Sequence, residues 1–105
     1  MDITVPTRRP VNVTNLLRQA GYHPIHDYHE AKDSWVRTLG RLHYPRFHLY
    51  VRAQSTEIEF SLHIDQKQTT IRFAKVRRHA GEYDSPIVQA ELARLQRWFD
   101  YSQTV

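Results

Sequence analysis

Apolar residues occupy alternate positions in two neighbouring runs: Phe47, Leu49 and Val51, then Ile58, Phe60, Leu62 and Ile64. Side chains on a strand point to opposite faces in turn, so each run predicts a strand with one buried face. Only the short polar stretch around Gln54-Ser55-Thr56 separates them, which predicts an antiparallel hairpin. Setting Val51 against Ile58 places Leu49 against Phe60 and Phe47 against Leu62. On the other face the same register pairs Arg52 with Glu57, Tyr50 with Glu59 and His48 with Ser61. A slip by one residue would bury His48, Arg52 and Glu59, at a cost on the order of several kcal/mol.

A helical period appears on either side. Val13, Leu16, Leu17 and Ala20 form one stripe behind the capping residue Asn12, with Gly21 as a stop, and predict a helix over 13–20. Ser85 and Pro86 open a second pattern, Val88, Leu92, Leu95 and Phe99, and predict a helix over 86–100. Residues 22–30 contain Pro24 and read as an edge strand, and 34–39 as a further strand. Residues 71–76 read as a strand or an extended segment, and residues 1–11 as an extended, weakly ordered N-terminus. The expected class is α+β: an antiparallel meander of four to five strands, with a short N-terminal helix and a C-terminal helix packed on one face.

At 105 residues the expectation is a single domain with one modest core. Cysteine is absent, which excludes disulfides and thiolate metal sites. No apolar run is long enough for a membrane span, and the opening MDITVPTRRP is not a secretory signal, so a cytoplasmic protein with no membrane partner is expected. The formal charge of +4 favours a polyanion partner such as nucleic acid.

The polar face of the hairpin carries the candidate chemistry. His63 and Asp65 lie two apart, so their side chains share a face, roughly 6.6 Å apart at Cα. In the expected register His48 is a diagonal neighbour of His63, roughly 7–8 Å away. Two imidazoles and one carboxylate on one face form an open site for Zn²⁺ or Fe²⁺. A metal-dependent hydrolase would use these three residues as ligands, with His79 or Glu82 as further catalytic candidates. The triplets His48-Leu49-Tyr50 and His63-Ile64-Asp65 lack the Ser or Thr of the H-x-[ST] two-histidine phosphoesterases. No G-x-S-x-G, P-loop or dinucleotide glycine pattern is present.

The leading expectation, to which the metal-dependent hydrolase is the alternative, is a binding module for nucleic acid or another polyanion on the polar sheet face, using Arg46, Tyr50, Arg52, Lys67, Arg72, Arg77 and Arg78, with Tyr22, Tyr28 and Tyr44 as further rings for base stacking. A protein-interaction module is the third reading, marked by Trp35 and Trp98 as exposed aromatics. Residues 77–84 form a charged loop before the second helix, where a capping role for its acids competes with ligand binding.

The combination RFHLY, LHIDQK and HAGEYD resembles a family of short bacterial proteins with no assigned function. The resemblance spans about residues 15 to 92. It implies no activity and marks His48, His63, Asp65, Gln66, Lys67, His79, Glu82 and Asp84 as the residues that its motifs carry.

Overall fold

The computed structural model describes residues 1–27, 32–66 and 84–104. Five strands form one antiparallel sheet: β1 (Asp2–Pro6), β2 (His23–Asp27), β3 (Lys32–Thr38), β4 (Arg46–Ala53) and β5 (Glu57–Asp65). Their spatial order is β1-β5-β4-β3-β2, so β2 to β5 is a meander and β1 closes its far edge. Helix α1 (Val13–Gln19) lies in the crossover from β1 to β2, and α2 (Pro86–Thr104) follows the sheet. The α+β class and the helix pair are as the sequence predicts. The predicted strand at 71–76 lies outside the described residues, as do Tyr28, Lys67, Arg72, Arg77, Arg78, His79 and Glu82.

One face of the sheet makes the core. Val5, Trp35, Phe47, Leu49, Ile58, Phe60, Leu62 and Ile64 are buried there with Leu16 and Leu17 of α1 and Val88, Leu92, Leu95 and Phe99 of α2. Phe60 meets Phe99 edge to face, ring centroids 6.3 Å apart. Trp35 is therefore a core residue and not the exposed aromatic predicted, while Trp98 packs half-buried against the same core. The alternation in β3 already placed Trp35 and Val36 on opposite faces; the sheet order makes the Trp35 face the apolar one, through its pairing with Leu49.

The N-terminus differs from the sequence reading. Residues 2–6 are a paired edge strand, with Ile3 opposite Phe60 and Val5 opposite Ile58. The following link is held as well: Gln103 Oε1 of α2 accepts from the N–H groups of Arg8 and Arg9 at 2.7 and 2.9 Å. Ile3 and Val5 extend the apolar face by period-two alternation, a signal that Pro6, Pro10 and the run's shortness obscured.

The hairpin register is also corrected, by two residues. Val51 faces Phe60, Leu49 faces Leu62, Phe47 faces Ile64 and Arg52 faces Glu59. The turn is closed by Gln54 N–H donating to the Glu57 carbonyl at 2.8 Å, with Ser55 and Thr56 at its tip. A two-residue slide keeps every side chain on its own face, so the apolar pattern cannot distinguish the two pairings. The consequence falls on the polar residues: His48 stands directly opposite His63, and Arg46 opposite Asp65.

Local chemistry fixes the helix ends. Asn12 Oδ1 accepts from the Asn15 N–H at 3.0 Å, capping α1. At its other end Tyr22 N–H donates to the Leu17 carbonyl and Gly21 N–H to the Arg18 carbonyl, at 2.9 and 3.1 Å. This is the Schellman pattern, and Gly21 takes the positive φ (99°) it requires. The reversal delivers Tyr22 straight into the core, where it is 1% exposed.

Candidate metal centre

Adjacent strands bring the polar residues together on the face opposite the helices. His48 on β4 and Asp65 and His63 on β5 project from the same side, with Ser34 on the neighbouring β3. This face is not the uniformly solvated surface that alternation alone suggests. Ser34, Val36, Arg46 and His48 are buried on it, and His63, Asp65 and Tyr50 are half-buried.

Asp65 is the hub. Its Oδ2 lies 3.0 Å from His48 Nδ1 and its Oδ1 lies 2.8 Å from His63 Nε2. Arg46 Nε donates to Oδ2 at 3.2 Å. Burial works against a charged carboxylate here, but the hydrogen bonds from His48 and His63 and their charges outweigh it, holding the Asp65 carboxyl well below the usual range. An ionised carboxylate only accepts, so each ring nitrogen facing it carries its proton. The other nitrogen of His48, Nε2, is 2.9 Å from Ser34 Oγ. Around this hub the rings crowd together: His48 lies tilted against His63 at 4.9 Å and against Tyr50 at 4.7 Å between centroids, and Tyr50 stacks on His63 at 6.1 Å.

Arg46 does not fill the role expected of a phosphate-contacting residue. It is buried, bound to Asp65, within 2.9 Å of His43 Nε2, and its guanidinium lies 4.6 Å from the Tyr44 ring centroid. The hairpin register explains this, since Arg46 and Asp65 are cross-strand partners. Tyr50 packs against both imidazoles, and Arg52 is exposed opposite Glu59. Tyr22, read as a base-stacking ring, is buried on the other side of the sheet.

The donor set suits a metal ion. One atom each from His48, His63 and Asp65 can be chosen so that all lie within 4.8 Å of one another. A tetrahedral ion with bonds of about 2.0–2.1 Å needs donors roughly 3.4 Å apart. Each imidazole is already closer than that to one carboxylate oxygen, His48 to Oδ2 and His63 to Oδ1, and among one donor atom from each residue no separation needs to close by more than about 1.4 Å. Outer partners are present too: Ser34 on His48 and Arg46 on Asp65, the kind of hydrogen bonds that orient ligands.

Another carboxylate, Glu91, is buried and is not among the residues the sequence singles out. Glu91 sits within the apolar stripe of α2 and accepts from the Tyr22 hydroxyl at 2.6 Å. Arg94 Nε and Nη2 bind its two oxygens at 2.7 and 2.9 Å, and Nη2 also donates to the Ala20 carbonyl at 2.7 Å. Arg37 approaches at 3.5 Å. The available signal was Glu91 three residues before Arg94 and one helical turn after Val88.

Compared with known proteins, the chain matches no protein-family model, no curated protein and no solved structure. Among the described residues no helix is long and apolar enough to cross a membrane.

Proposed function

We propose that the protein binds a divalent transition metal, zinc or ferrous iron, through His48, His63 and Asp65, and uses the ion for hydrolytic chemistry. The observation that carries this reading is the convergence of two imidazoles and one carboxylate from two paired strands, all within 4.8 Å. Three protein ligands leave a coordination position for water or substrate, which is the pattern of catalytic rather than structural sites. When bound there, the ion supplies an acidified water and a Lewis acid. The chain's own residues do the holding: Arg46 fixes the Asp65 carboxylate, and Tyr50 walls the imidazole pair.

The charge of +4 supports a rival reading, a binding module for polyanions. On the described sheet face its cations are Arg46, committed to Asp65, and Arg52, set opposite Glu59, so the metal reading is the better supported. Elemental analysis of tag-free protein, alongside His63→Ala, tests it. Near one equivalent of zinc or iron, lost in the variant, is the expected result. A metal-free protein that gains no thermal stability from added Zn²⁺, Mn²⁺ or Fe²⁺ would overturn it. Salt-dependent retention of nucleic acid by that same metal-free protein would favour the rival.

A further inference from the structure

Ser34, His48 and Asp65 form a hydrogen-bonded line: Ser34 Oγ to His48 Nε2 at 2.9 Å, then His48 Nδ1 to Asp65 Oδ2 at 3.0 Å. These are the contacts of a serine nucleophile, its base and the orienting carboxylate. A nucleophile must touch its substrate, and Ser34 has 0% of its surface exposed. The line therefore has another purpose.

We infer that Ser34 is a positioning residue that sets which nitrogen of His48 meets the metal; the inference rests on the metal reading above. Without an ion, the Asp65 carboxylate draws the His48 proton to Nδ1, and Nε2 accepts from the Ser34 hydroxyl. To bind an ion beside Asp65, Nδ1 must present a lone pair, so the proton moves to Nε2. A hydroxyl serves both states, because it donates in the first and, after rotating, accepts in the second. Both side chains are buried, and the serine oxygen, 2.9 Å from Nε2, supplies the acceptor. No proton is gained or lost by the neutral ring; it changes nitrogen. A residue that could only donate or only accept would favour one state and penalise the other. Val36, Ser34's neighbour on the same face of β3, could do neither.

NMR of the imidazole nitrogens, at about pH 8 where free histidines are neutral, reads this directly in the unaltered protein. Zinc is the probe. The expected result is His48 protonated on Nδ1 in the zinc-free protein, and protonated on Nε2 with Nδ1 on the metal once zinc is bound. A competition assay with a chromophoric chelator adds the energetic side. Ser34→Ala should weaken zinc by roughly 10–100-fold, the usual cost of losing an outer-shell partner. Ser34→Thr, which keeps the hydroxyl, should recover most of the affinity. If zinc binds with His48 still protonated on Nδ1, or through Nε2, the role assigned to Ser34 is wrong while the metal site stands. Unchanged affinity in folded Ser34→Ala has the same meaning. Absence of zinc binding by the parent removes both ideas together.

Discussion

The sheet separates two carboxylates that are built alike and partnered differently. Glu91, on the helix side, is gripped by Tyr22 and Arg94, with Arg37 nearby. Asp65, on the opposite face, is gripped by His48, His63 and Arg46. Burial opposes the charge of both, and hydrogen bonds outweigh burial in both. The difference lies in what the partners can do next. An arginine has no lone pair to give a metal and keeps its charge throughout the accessible range. An imidazole can surrender a proton from one nitrogen and coordinate with it. The Glu91 cluster therefore closes a joint between α1, β3 and α2, whereas the Asp65 cluster retains exchangeable donors.

The largest expected effect comes from placing a carboxylate on the helix side without partners. Leu62 is fully buried beneath the helices. Leu62→Asp should cost more than about 3 kcal/mol and leave the chain unfolded or nearly so, because it places a charge among apolar core side chains. Urea unfolding of the variant checks it; a melt like the parent's would mean that Glu91 owes its place to a permissive environment rather than to its partners.

Glu91→Ala asks the converse question and should cost about 3 kcal/mol, since it strands the buried Tyr22 hydroxyl and one side of Arg94. Metal uptake by the fraction that remains folded should be unchanged. Asp65→Asn inverts that pattern. The amide oxygen still accepts one bond, so stability should fall by only about 1–2 kcal/mol. Zinc affinity should fall by more than roughly 100-fold, beyond the usual loss for an outer-shell partner. Equal effects of the two substitutions on stability and on zinc would erase the distinction between the two carboxylates.

How much of this was legible differs by layer. The alternation of β4 and β5 and the stripe of α2 read directly, because a half-buried strand and an amphipathic helix leave their periods in the sequence. The register did not, because sliding by two preserves both faces. A usable signal lay at the hairpin's far end. The predicted register sets Pro45 against Ile64, whereas the observed one sets Arg46 against Asp65, an opposite-charge pair. That slide turned a diagonal His48–His63 relation into a direct one and drew Arg46 out of the set of phosphate contacts. The triad His48, His63 and Asp65 survived the error, since face membership depends on parity alone. Ser34 and Glu91 were not legible as partners. Each becomes significant only through burial beside a residue distant in sequence, His48 for one and Tyr22 for the other.

The smallest effect expected near neutral pH, yet the most specific, concerns the Tyr22–Glu91 bond. Burial raises the Tyr22 hydroxyl well above the ordinary value of 10, and its hydrogen bond to Glu91 raises it further. The folded protein therefore holds that proton more tightly than the unfolded chain. Its contribution is complete below pH 10 and is lost as pH rises beyond it. Glu91 works in the opposite sense. Its burial favours the neutral acid, but the hydrogen bonds from Arg94 and Tyr22 and the arginine charges outweigh this and hold it below its ordinary 4.5. That contribution is complete above the ordinary glutamate value and is lost as pH falls toward the depressed folded one. Stability from this cluster should thus form a plateau with an acid limb and an alkaline limb. Tyr22→Phe should lower the plateau by about 1–2 kcal/mol and flatten the alkaline limb, because the titrating hydroxyl is gone. Glu91→Gln should make the acid limb shallower, with the depressed Asp65 carboxyl carrying what remains, and leave the alkaline limb shallower too. Urea midpoints measured from acid to alkaline pH on the three proteins separate these outcomes. An alkaline limb that persists in Tyr22→Phe would assign it to another group and leave the Tyr22–Glu91 bond as a packing contact without linkage to folding.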